Sequence, residues 1–66
     1  MLVGEKLKTL RGNMTQNEIA LALGITKSSW AMYETDRRIP RDEVKVKIAE
    51  YFNKTVQEIF FNQNVT

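Results

Sequence analysis

The side chains that could do chemistry in this chain form a restricted set, because it contains no cysteine and no histidine. Their absence excludes thiolate and imidazole metal sites, thiol nucleophiles, the Ser–His pair and the commonest general base. Carboxylates and lysines remain as acid–base groups. They are scattered, with no spacing that would bring them to one site, so an enzyme is the least favoured function class and no cofactor or metal is expected. What is left is charge. Residues 1–41 carry seven Lys or Arg against four Asp or Glu, whereas residues 42–66 carry three against four. Such an excess suits a surface that binds phosphates, and it equally suits an ordinary solvated exterior.

The elements that must position these groups are helices. Apolar residues recur at spacings of three and four, and the 66 residues include a single proline and three glycines, so no strand pattern competes. A 42% apolar fraction with 27% charged residues is that of a folded globular chain. The length predicts one domain over residues 1–66, burying only about 60% of its unfolded surface, without linker or repeat. No apolar run is long enough to cross a bilayer and the first residues lack a signal-peptide pattern, so a cytoplasmic location is expected.

Five short helices follow from start and stop signals. The first, over residues 3–11, has Val3, Leu7 and Leu10 on one face and stops at Gly12-Asn13. Thr15-Gln16-Asn17-Glu18 is a capping box that opens the second, which carries Ile19, Ala20 and Leu23 inward and ends at Gly24. Thr26 caps a third helix running to about residue 35. The loop Asp36-Arg37-Arg38-Ile39-Pro40 breaks the pattern. A fourth helix, from about residue 41 to 52, places Val44, Ile48, Ala49 and Phe52 inward and Lys45, Lys47 and Glu50 outward. A second box, Thr55-Val56-Gln57-Glu58, starts a short fifth helix with Ile59, Phe60 and Phe61, after which residues 62–66 are expected to fray.

Residues 16–35 are the informative stretch, because two helices of about eight residues joined by a tight Gly-containing turn form a helix-turn-helix unit. Ala20 supplies the small residue where they cross and Gly24 the turn. Trp30 and Tyr33, three apart, make the buried stripe of the third helix and turn Lys27, Ser28, Ala31, Met32 and Thr35 to the opposite side. Trp30 could instead stack on a base, and Met32 could fill an edge of the core, but the stripe favours Trp30 inside and Met32 outside.

Through TQNEIALALGITKSSWAMYE and the following RRIP, the sequence resembles the phage repressor and Cro type (XRE-like) of helix-turn-helix regulator, in outline over residues 7–61. The resemblance implies an all-α, five-helix lambda-repressor-like domain whose partner is double-stranded operator DNA. It implies that the third helix enters the major groove, that Lys27, Ser28 and Met32 read bases, and that Ala31 meets a thymine methyl. Gln16, Thr26, Ser29 and Thr35 are then phosphate contacts, with Arg37 and Arg38 adding grip on the backbone. Arg11 and Glu34 are either a buried pair joining the first and third helices or two exposed charges. Asp36 stands where the family usually has glycine, and its negative charge is unhelpful beside phosphates. The connection before the second helix is about two residues shorter than the common pattern.

Tyr51, Phe52, Phe60 and Phe61 supply more aromatic surface than so small a core needs, so Tyr51, Phe60 and Phe61 are expected to form a homodimer interface. The resulting expectation is a bacterial or phage transcriptional repressor, cytoplasmic and nucleoid-associated, with no small-molecule ligand and no membrane partner. The alternative is a protein-interaction module, such as an antitoxin or adaptor, using the same helices.

Overall fold

The computed structural model describes residues 3–61, as α1 (Gly4–Arg11), α2 (Gln16–Leu23), α3 (Lys27–Glu34), α4 (Asp42–Tyr51) and a π-helical turn (Gln57–Phe61), with no strand among them. No helix among these residues is long and apolar enough to cross a membrane.

Threonine side chains start three of the elements as their spacing predicts. Thr15 Oγ1 accepts the Glu18 N–H at 3.0 Å while the Glu18 carboxylate accepts the Thr15 N–H at 2.8 Å. Thr26 Oγ1 accepts the Ser29 N–H at 3.0 Å. Thr55 and Glu58 close the second box with the same pair of bonds, at 3.0 and 2.8 Å. The Thr55 N–H is also the main reason the Glu58 carboxyl titrates below its ordinary value. The element that follows differs from the expected α-helix. It is a π turn, in which Ile59 and Phe60 are buried, at 1% and 2% exposure, and Phe61 stays outside.

Three helices end in one way. After α2, the Ile25 N–H reaches Ala20 O and the Gly24 N–H reaches Leu21 O; after α3, Arg37 reaches Met32 and Asp36 reaches Tyr33; after α4, Lys54 reaches Ala49 and Asn53 reaches Glu50. These paired six-to-one and five-to-two bonds are Schellman turns, which need one residue in the left-handed region. Gly24 (φ 72°), Asp36 (φ 60°) and Asn53 (φ 57°) occupy it. Asp and Asn tolerate this backbone better than other side chains, but at a cost of roughly 1–2 kcal/mol that glycine avoids.

Leu7, Ile19, Ala20, Leu23, Trp30, Tyr33, Ile48, Ala49, Ile59 and Phe60 form the core, edged by Val3, Leu10, Met14, Ile25, Val44, Phe52 and Val56. Trp30 is fully buried and meets Tyr33 edge to face, with ring centroids 6.5 Å apart. The stacking alternative for Trp30 therefore falls. Lys45, expected outward, folds back over the C-terminal turn. Its ammonium lies 5.0 Å from the Phe61 ring centroid and 5.7 Å from that of Phe60, and 3.8 Å from Asp42 Oδ1. The long alkyl stem covers apolar surface that a shorter polar residue would leave wet. On the surface, the Lys6 ammonium donates to Glu58 O at 3.0 Å.

At the junction of α1, α2 and α3 lies Glu34, whose side chain is 4% exposed. Its Oε2 accepts Arg11 Nε and Trp30 Nε1, each at 2.5 Å, and its Oε1 accepts Gln16 Nε2 at 3.0 Å and an Arg11 terminal nitrogen at 3.3 Å. Arg11 donates once more, to Met14 O at 2.6 Å. Residues from α1, α2 and α3 thus share one carboxylate, and no buried side-chain polar atom among the described residues lacks a partner. Burial alone would raise the pKa of this carboxyl. The hydrogen bonds from Arg11, Gln16 and Trp30, with the charge of Arg11, outweigh it and hold the group below the usual carboxylate value.

The first turn of α1 packs against the end of α3 so closely that a methyl group on Gly4 would run into Glu34 O and lie 2.6 Å from its carbonyl carbon. Gly4→Ala must push two backbones apart, and a loss of about 1–3 kcal/mol or more is expected from the urea midpoint. Removing Arg11 alone strands the buried carboxylate, so Arg11→Met should cost about 3–5 kcal/mol; equal midpoints for the variant and the wild type would show that the pair does not hold the helices together. Because the folded-state pKa of Glu34 is lowered, the stability it contributes is present above the unfolded value of about 4.3 and is lost as pH falls through the folded value. Urea unfolding across roughly pH 3–7 should show the gap between wild type and Glu34→Gln constant near neutrality and shrinking below about pH 4.

Candidate nucleic-acid interface

The side of α3 turned away from Trp30 and Tyr33 faces solvent. Lys27 and Ser28 are exposed, Ala31 is half-buried, and Met32 is 37% exposed. Ser28, Ala31, Met32, Thr35 and Arg37 line a single shallow depression. The structure therefore brings together three of the four side chains expected to read bases, with Lys27 one turn of helix away at the start. The exposure of Met32 runs against its alternative role as core filler.

The expected phosphate contacts divide into two kinds. Gln16, Thr26, Ser29 and Thr35 already have hydrogen-bond partners within the chain: Gln16 donates to Glu34, Thr26 Oγ1 donates to Ser29 Oγ at 3.0 Å, and the Thr35 hydroxyl donates to Ala31 O at 3.0 Å. What these side chains provide is position. By capping or opening their helices, Thr15, Gln16 and Thr26 present the first N–H groups of α2 and α3, at Gln16, Asn17, Lys27 and Ser28, which have no acceptor inside a helix. Both positive dipole ends are thereby offered to an anion.

Arg37 and Arg38, by contrast, are exposed. Arg38 borders the groove between α3 and α4, together with Ser29, Tyr33 and Arg41. No pattern in the sequence marks Arg41 as a site residue. It is the N-cap of α4 but makes no side-chain capping bond. Its place beside Arg38 depends on the path of the loop from Asp36 to Pro40, which no spacing rule supplies.

The three aromatic residues expected at a dimer interface do not form one patch. Phe60 is buried within its own protomer and is corrected from interface to core, because it packs with Ile59 into the cluster around Leu7, Trp30 and Ile48. Phe61 is 53% exposed in an apolar cleft with Val3, Ile39 and Pro40, and Ile39 is itself 71% exposed. Tyr51 is 46% exposed but lines a different groove, with Leu21, Lys47 and Glu50, and its hydroxyl lies 3.7 Å from Met14 Sδ.

A family model described as a helix-turn-helix domain matches residues 4–65. Comparison with curated proteins and with solved structures returned no match. The family match spans every element from α1 to the C-terminal turn, and the capped α2, the Gly24 turn and α3 with its buried Trp30–Tyr33 stripe supply the unit from which the family takes its name. The chain belongs to the XRE-like helix-turn-helix family of DNA-binding domains.

Proposed function

We propose that the chain is a sequence-specific transcriptional regulator of the bacterial or phage cytoplasm, a repressor that binds a palindromic operator as a homodimer with α3 in the major groove. The observation that carries this reading is the division of α3. One side is fixed in the core through Trp30, Tyr33 and Glu34, and the other offers Lys27, Ser28, Ala31 and Met32 to solvent between two helix N-termini and a run of arginines. A rigid helix with free base-reading side chains and flanking phosphate contacts is what major-groove recognition requires.

Lys27 is the one long cation among the four side chains assigned to base reading, and the one best suited to a guanine edge. Ser28, Ala31 and Met32 offer short polar and apolar contacts, including to a thymine methyl. With so few bidentate groups, recognition draws part of its selectivity from the shape of the duplex. Arg37 and Arg38 grip the backbone, and the first amides of α2 and α3 set the register. For the second copy, the exposed pair Ile39 and Phe61 is the favoured contact, since both lie in one apolar cleft.

Selection from a random duplex pool at roughly physiological salt, where non-specific binding is weak, should enrich a short motif repeated with two-fold symmetry. No enrichment, together with tight capture of a protein partner, would decide for an interaction module instead. A long, sharply defined half-site would rule out the contribution of duplex shape. On the enriched duplex, Lys27→Ala should relax preference at one base pair and cost about 1–3 kcal/mol. Arg37→Ala should weaken all sequences alike and reduce the salt slope by about one. Phe61→Asp should lower the mass measured by sedimentation from dimer to monomer in the presence of operator; a wild-type chain that stays monomeric at high concentration, with and without DNA, removes the dimer.

A further inference from the structure

Asp36 carries a feature that the helix-turn-helix reading does not use. It sits in the left-handed position after α3, where glycine would be free of strain, and its side chain is not turned loosely to solvent. Oδ1 accepts the N–H of Val3 at 2.9 Å and of Gly4 at 3.0 Å. Val3, the N-cap of α1, has no side chain able to cap, so the acceptor for the opening amides of α1 comes from a residue more than thirty positions later. The approach is close because Gly4 has no Cβ. One placed there would lie 2.8 Å from Asp36 Oδ2 as well as against Glu34 O.

The same residue thus ends α3 through its backbone and caps α1 through its side chain. Its carboxylate faces two N–H groups at the positive end of α1, so a charge that is adverse beside phosphates is offset within the protein. Arg37 and Arg38 follow directly, and the Arg37 N–H is bonded to Met32 O at 2.9 Å. The turn that carries both arginines is therefore held at two points, on α3 by its backbone and on α1 by the Asp36 carboxylate.

We propose that Asp36 is a positioning residue of the DNA interface. By clasping the start of α1 it fixes the turn after α3, so that Arg37 and Arg38 meet the phosphates on either side of the recognition helix without searching for position. This inference rests on the DNA-binding reading, but the clasp itself can be observed without DNA.

Two substitutions in the full chain separate the roles of Asp36. Asp36→Asn keeps an oxygen acceptor and a residue that tolerates the left-handed region, while removing the charge. Asp36→Gly keeps the turn and relieves the backbone, but removes the acceptor. On the duplex enriched by selection, Asp36→Asn should bind within about threefold of wild type with the same salt dependence. Asp36→Gly should bind about tenfold more weakly, with the slope of log affinity against log salt reduced by about 0.9 for each phosphate that the arginines no longer neutralise. Helical content should be unchanged in both. In amide hydrogen exchange on the free protein, Val3 and Gly4 should be protected in wild type and Asp36→Asn and exchange fast in Asp36→Gly.

Wild-type affinity and salt slope for Asp36→Gly, with those amides exposed, would overturn the positioning role. Continued protection of the amides in Asp36→Gly would overturn the clasp. An Asp36→Asn that weakens as much as Asp36→Gly would assign the effect to charge and overturn it as well. A wild-type chain that selects no duplex removes the DNA reading, and with it the role of the arginines, while the exchange comparison still decides the clasp.

Discussion

A single buried carboxylate sets the geometry of this small domain. Glu34 sits at the end of α3 and accepts hydrogen bonds from Arg11 of α1, Gln16 of α2 and Trp30 of its own helix. A charge taken out of water is costly unless every lone pair is engaged, so the three helices can satisfy it only in one arrangement. With no disulfide possible, and a core limited to about ten large or small apolar side chains, this directional interaction does what hydrophobic packing alone does poorly in a chain of this size. Apolar surfaces can slide past one another at little cost, whereas four donors converging on two oxygens cannot.

The exposed face of α3 is a consequence of that arrangement. Because Trp30, Tyr33 and Glu34 anchor α3 on one side, the residues on its opposite side are turned outward, and Ser28, Ala31 and Met32 come to share one depression. The same logic explains why so many hydroxyl and amide groups near the interface bond within the chain. Thr26, Ser29, Gln16 and Thr35 hold helix starts and ends in register, while the first amides of α2 and α3 and the side chains of Arg37 and Arg38 stay open to solvent. Capping and anion binding are thus two uses of the same helix termini.

The departures from expectation have a common cause. A charged residue on a regular helix normally belongs in water, which is why Lys45 is expected outward, but the Phe60 and Phe61 rings beside it give its stem apolar surface to cover. Phe60 is expected at an interface because the aromatic residues exceed what so small a core needs, yet the core takes it in together with Ile59. Asp36 is a liability beside phosphates when its own loop is considered alone, yet the start of α1 lies close enough to use its carboxylate. In each case the residue's own segment suggests one role, and the folded surroundings assign another.

What the sequence by itself determined was local: the helix starts at Thr15, Thr26 and Thr55, the turn at Gly24, the periodic stripe of Ile19, Leu23, Trp30 and Tyr33, and hence which side of α3 stays free. These follow from capping chemistry and a 3.6-residue period, which act over a few residues and can be read without knowing the rest of the chain. Tertiary structure alone decided that Gln16 and Trp30 complete the shell of Glu34, that Gly4 must lack a side chain, that Arg41 joins Arg38, and that Asp36 caps a helix thirty residues earlier. Those roles depend on distances between helices, which are fixed only when the core closes and which no spacing along a single helix encodes.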